Sequence, residues 1–195
     1  MESRRDDILA AITAHLREHG VLNVTLRGLA RDLDVAPNTL EHYFGSKSAM
    51  FAEALLALRA EDQATLVAAI DASHRRDAPG ALLSFWDALT SPGSEAANLA
   101  FLETWIYALR RREDYAEFLH HVVEDWVECA THILTQSGVS EERRVGLATL
   151  AIGSIRGLLL DTLSSGEQGV PRIAAALREL GGVLREAMEQ GSAEA

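Results

Sequence analysis

The sequence predicts an all-α protein, and three features of it do so. Apolar residues recur at three- and four-residue spacing almost from the start, as in Ile8, Leu9, Ile12 and Leu16. No stretch alternates apolar and polar residues as a half-buried strand does. Gly, Pro and Ser clusters then cut the chain into helix-sized pieces, at Gly20, Gly45-Ser46, Ala78-Pro79-Gly80, Ser91-Pro92-Gly93, Ser137-Gly138 and Ser164-Ser165-Gly166. With 195 residues, 48% of them hydrophobic and 24% charged, the chain has the composition of a globular protein and room for a small domain joined to a larger one.

The elements follow in order. Ser3 is a candidate N-cap with Asp6 three residues on, and the first helix runs to Gly20. Thr25 caps a second helix with Leu26, Leu29, Ala30 and Leu33 inward. The chain turns at Asp34-Val35 into Pro37, a residue favoured in a first helical turn, and a short third helix covers 37–44. Ser46 caps a long fourth helix, from Lys47 to about Ser73, with Met50, Phe51, Ala54, Leu55, Leu58 and Leu66 on its apolar face. Five more helices are expected near 79–90, 94–110, 114–137, 140–165 and 171–190, and the final GSAEA reads as a low-complexity tail.

Residues 25–44, TLRGLARDLDVAPNTLEHYF, place two short helices around a tight turn, with Ala30 at the close approach and Val35 beneath the turn. This is a helix-turn-helix. Held across the first helix, the second can enter a major groove about 12 Å wide.

At these residues the chain resembles the tetracycline-repressor (TetR) family. Arg5-Asp6-Asp7-Ile8-Leu9-Ala10-Ala11 is similar to that family's opening helix, and Val35, Thr39, Leu40, Phe44, Ser46 and Lys47 to its later stretch. The likeness is specific over the first 55 residues and rests on helix pattern over the other 140. It implies that Thr25, Arg27, Thr39, Tyr43 and Lys47 contact phosphates or bases, with Pro37, Asn38, Glu41 and His42 on the recognition helix. Three positions depart from the pattern: Asp34 replaces a turn Gly, Ala36 a capping Ser, and Glu41 a Tyr or Arg. Asp enters left-handed backbone more readily than most residues. Glu41 faces a polyanion, which implies either modest affinity or a hydrogen bond accepted from a cytosine amino group.

For the rest of the chain the resemblance implies a domain that binds a small-molecule effector and dimerises. Phe85, Trp86, Leu89, Phe101, Trp105, Phe118 and Trp126 fall where family members enclose a pocket, which suits a hydrophobic or planar ligand, although each is equally a core residue. Arg156, inside an apolar helix, is a candidate partner for an anionic ligand or for an acid of the protein itself. Gly146, Gly153, Gly157, Gly181 and Gly182 each cost about 1 kcal/mol in a helix interior. Close approach of another helix offsets that cost, from a second subunit as the resemblance implies or from within the chain. His120, His121, Glu124, Asp125, Cys129 and His132 have a spacing that permits a metal site without specifying one.

The net charge is −11, of which residues 1–50 carry only −1, so DNA affinity must come from locally placed bases and helix N-termini. One Cys excludes an intrachain disulfide and fits a reducing cytoplasm. No signal core or membrane segment is expected, and no phosphate loop, nucleophile elbow or His-Glu-x-x-His motif suggests an enzyme. The expected organisation is a DNA-binding domain over 1–46 and an effector-binding, dimerising domain over 47–195, without a cofactor or metal. The expected function is a cytoplasmic homodimeric regulator, a repressor released from an inverted-repeat operator by its ligand.

Overall fold

A computed structural model describes residues 2–21, 24–72 and 77–194. Its helices are α1 (Glu2–His19), α2 (Leu26–Asp32), α3 (Pro37–Phe44), α4 (Lys47–Ala72), α5 (Ala78–Leu89), α6 (Glu95–Leu109), α7 (Ala116–Gln136), α8 (Glu141–Ser165) and α9 (Val170–Glu194). A single 3₁₀ turn, Gly166–Gly169, joins the last two, and there is no strand among the described residues.

Helix ends differ from expectation in α1, α5 and α9. α1 begins at Glu2, so Ser3 lies inside the helix rather than before it. Asp77 starts α5, its Oδ1 accepting the Gly80 N–H at 3.1 Å. α9 continues to Glu194, through most of the segment read as a tail. Gly191 is the reason a side chain is absent there: a Cβ would run into the Gly138 carbonyl at the α7–α8 turn. The expected Ser73 end of α4 lies outside the described residues, as does the side chain of Leu66.

The chain packs as two compact units. The first comprises residues 1–62 and 93–122, the second 63–92 and 123–195. Residues 47–62, expected to group with the second domain, therefore pack with the helix-turn-helix, and α4 and α7 each contribute to both units.

In the first unit α1 lies against α6, and α2 against α3. Ile12, Leu16, Leu29, Leu40, Met50, Phe51 and Tyr115 are almost wholly excluded from water. Burying a side chain of this size stabilises by about 1.5–3 kcal/mol. Burial pushes the Tyr115 hydroxyl above the ordinary tyrosine range, with Tyr107, whose ring is 5.6 Å away, adding to the effect. In the second unit α5, α8 and α9 pack together around Leu82, Leu147, Ile155, Ile173, Leu177 and Leu184.

One side of α8 stays uncovered. Leu147, Ala148, Ala151, Ile152, Ile155 and Leu159 are buried, while Gly146, Leu150, Gly153, Gly157 and Leu160 form an exposed stripe at alternating three- and four-residue spacing. Leu150 and Leu160 are each 51% exposed, and Val170 and Val183 on α9 are exposed too. Within the helical stretch 141–193, an 18-residue window has a mean hydropathy of 1.4, long and apolar enough to cross a membrane by composition, and only a third of that window is buried.

Candidate functional site

The helix-turn-helix is held by backbone and cap bonds that its sequence specifies. Thr25 Oγ1 accepts the Gly28 N–H at 3.0 Å and closes the first turn of α2. Gly28 has no Cβ because one would sit 2.9 Å from that same oxygen. At the turn the Val35 N–H donates to the Ala30 carbonyl at 2.9 Å, and Asp34 takes a φ of 52°. Asp34 alone among described non-glycine residues has a positive φ. Ala36 offers α3 no side-chain cap, and Pro37 begins that helix with a preset φ and one fewer N–H to satisfy.

α3 buries Leu40 and Phe44 and leaves Pro37, Asn38, Glu41 and His42 exposed, with Thr39 and Tyr43 half-buried. The exposed set is amide, imidazole and carboxylate, the groups that hydrogen-bond base edges. Around it, Thr25 and Arg27 are exposed at the start of α2. Lys47 Nζ donates to the Val24 carbonyl at 2.6 Å and lies 5.1 Å from the Phe51 ring centroid. That single bond fixes the ammonium at the N-terminus of α4 and leaves two of its three N–H groups for another acceptor. Ser46 Oγ caps α4 by accepting the Ala49 N–H at 3.1 Å.

Two adjacent arginines on α1 have different roles. Arg5 pairs with Glu53 at 2.5 Å and stacks 4.9 Å from the Phe44 ring centroid, which ties α1 to α3 and α4. Arg4 is exposed and lines a shallow notch with Asn38, Thr39, His42 and Tyr43. Sequence reading did not single out Arg4, because in a linear pattern it is one of two equivalent bases before an apolar run. Only the packing of α1 beside α3 tells them apart.

The second unit contains an apolar cavity whose empty space, mouth included, is about 510 Å³. Ala81, Leu82 and Phe85 of α5, Trp126, Cys129, Ala130 and Ile133 of α7, Ala151, Ile152 and Ile155 of α8, and Leu184 of α9 line it, with others. Of the eight side chains singled out as a pocket, Phe85 and Trp126 are in this wall, their ring centroids 5.0 Å apart. Trp86 and Leu89 pack against the core of the same unit. Phe101, Trp105 and Phe118 belong to the first unit, where Phe101 and Trp105 pair at 5.8 Å and Phe118 is buried. Arg156 is half-buried on α8 and is not among the lining residues, and burial lowers its pKa below the ordinary guanidinium range. The missed lining residues are alanines, aliphatics and Cys129, which no sequence pattern separates from core.

The His and acid positions of α7 are spread out rather than gathered. His120 and His121 have ring centroids 5.3 Å apart, His132 Nε2 is 2.9 Å from the Gln136 amide, and no group of three potential metal donors forms among the described residues.

Fold and site thus define a helix-turn-helix head followed by a helical unit with an apolar cavity. Residues 8–54 match the bacterial regulatory proteins of the tetR family, a similarity that spans most of α1, the helix-turn-helix and the start of α4. It is 36% identical over 101 residues to the HTH-type transcriptional regulator BetI of Agrobacterium fabrum, a match covering 50% of this chain and 49% of that protein. The chain thus spans about half the length of the curated relative it matches. Among solved structures, a TetR-family transcriptional regulator from Cytophaga hutchinsonii superposes with a TM-score of 0.77 at 13% identity, covering 95% of this chain and 94% of that one. A transcriptional regulator from Rhodococcus sp. Rha1 does so with a TM-score of 0.71 at 20% identity, covering 93% and 96%. At such identities the likeness is one of fold.

Proposed function

We propose that this protein is a homodimeric, ligand-responsive transcription regulator of the cytoplasm, a repressor that leaves an inverted-repeat operator when a small molecule binds. The observation that carries the reading is α3, a helix that buries Leu40 and Phe44 while exposing Asn38, Glu41 and His42, with Arg4 lining the same notch as Asn38 and His42, and Arg27 and Lys47 exposed at the starts of α2 and α4. On DNA, Asn38 and His42 address base edges, while Arg4, Arg27, Thr25 and Lys47 hold phosphates. Pro37, Thr39 and Tyr43 position the chain on the backbone, and Glu41 either weakens binding or accepts from a cytosine amino group.

The exposed stripe of α8 supports the dimer. At Gly146, Gly153, Gly157 and Gly182 a Cβ would meet nothing within 4 Å, so among the described residues no helix of the same chain approaches them. The helix-weakening glycines are offset when a second copy packs there, which also covers Leu150 and Leu160. Ligand in the cavity acts on the heads through a shift between two dimer states, carried along the continuous helices α4 and α7.

Selection of random duplex DNA by the purified protein tests this, with binding of the winning sequence followed against salt. The expected result is an enriched inverted repeat whose affinity falls steeply with salt. No enrichment would reject DNA reading and leave a partner-binding module as the function.

A further inference from the structure

We infer that the cavity of the second unit takes a neutral, hydrogen-bond-poor small molecule with an apolar, aromatic-compatible body and no ionised group. The inference rests on the effector reading above and narrows it to a chemical class.

The wall decides the class. Apart from the Cys129 thiol, a weak donor, and the Trp126 indole N–H, the lining side chains are hydrocarbon, and no charged residue is among them. Most of the lining backbone is closed as well. Trp126 to Leu134, Ala151 to Ile155, and Leu184 sit within long helices, where N–H and C=O groups already bond to one another. At the start of α5, the nearest helix N-terminus, the Gly80 and Ala81 N–H groups are both taken by Asp77, and Pro79 has none. A carboxylate or ammonium entering this space would lose its water and find no charged partner and at most a neutral N–H or thiol in replacement, a penalty that disfavours binding in the charged form. An uncharged apolar body faces no such cost and gains the area it buries. Phe85 and Trp126, tilted by 43° at 5.0 Å, form a corner against which a ring packs edge or face.

The test titrates the full-length protein calorimetrically with two probes of one shape, methyl 2-naphthoate and 2-naphthoate, at neutral pH. The neutral ester is expected to bind at least about tenfold more tightly than the anion. Ala130→Leu fills the cavity and lowers ester affinity, and Cys129→Lys, which adds an ammonium to the wall, shrinks or reverses the preference. Thermal unfolding of each variant checks that it folds, and either one that does is sufficient. Equal affinities, tighter binding of the anion, no binding of either probe, or ester binding indifferent to a folded variant would each overturn the inference. DNA binding of the ester-loaded protein is read separately. An ester that fills the cavity yet leaves operator affinity unchanged removes the effector reading and keeps the ligand class.

Discussion

α3 and α8 both present an uncovered face, and the two faces are chemically opposite. On α3 the uncovered side chains beyond Pro37 are Asn38, Glu41 and His42, which water satisfies while the surface waits for a partner. On α8 they are Leu150 and Leu160 interleaved with Gly146, Gly153 and Gly157, which water does not satisfy and which weaken the helix. A polar surface can be occupied transiently at no standing cost. An apolar one half open to solvent carries a cost until something covers it, so the α8 face calls for a permanent partner and the α3 face for a reversible one.

The largest effect should come from charging the apolar face. Leu150→Glu with Leu160→Glu is expected to convert the proposed dimer to monomer in sedimentation analysis and to cut affinity for the proposed operator by about 100-fold or more, since one head reads half a site. A double variant that remains dimeric on full-affinity DNA would erase the contrast between the faces. Next in size, Arg4→Ala should weaken DNA binding several-fold and reduce the salt slope by about 1 per head, with the preferred sequence unchanged. An unaltered slope would place Arg4 off the backbone. Smaller again, Thr25→Ala should cost about 1 kcal/mol of stability in denaturant unfolding by removing the cap on Gly28, and Thr25→Ser should restore most of it.

The smallest effect is a pH dependence within the head. Burial, and then the neighbouring His19 ring at 4.5 Å, lowers the His15 pKa from its ordinary 6.5, although Asp32 and Glu18 pull it back in part. The unfolded chain therefore takes up a proton more readily than the folded one. The contribution is complete above 6.5 and is lost as pH falls below 6.5 through the folded value. His15→Gln should flatten that part of the stability profile. A profile identical to the parent's would show that His15 does not supply it.

Legibility in the sequence tracked how local the cause was. The α2–α3 turn could be read because Thr25, Asp34 and Pro37 act on backbone within three residues of themselves, and Asp34 does take the left-handed conformation expected of it. Helix positions were legible for the same reason, with ends shifting by a few residues where Asp77 or the Gly138–Gly191 approach intervened. The cavity was not legible. Aromatic residues of α5 to α7 are equally suited to pocket and core, and the structure puts Phe85 and Trp126 in the wall of the cavity but Phe101, Trp105 and Phe118 in the other unit.

The sequence by itself determined the nine α-helices of the described residues, the helix-turn-helix and its caps, because periodicity, capping and turn chemistry act over one to four residues. Tertiary structure alone decided which of two neighbouring arginines is free to meet a ligand, which small residues enclose a cavity, and which side of α8 is bare. Those outcomes depend on contacts between residues tens of positions apart, and such contacts leave no periodic trace in the chain.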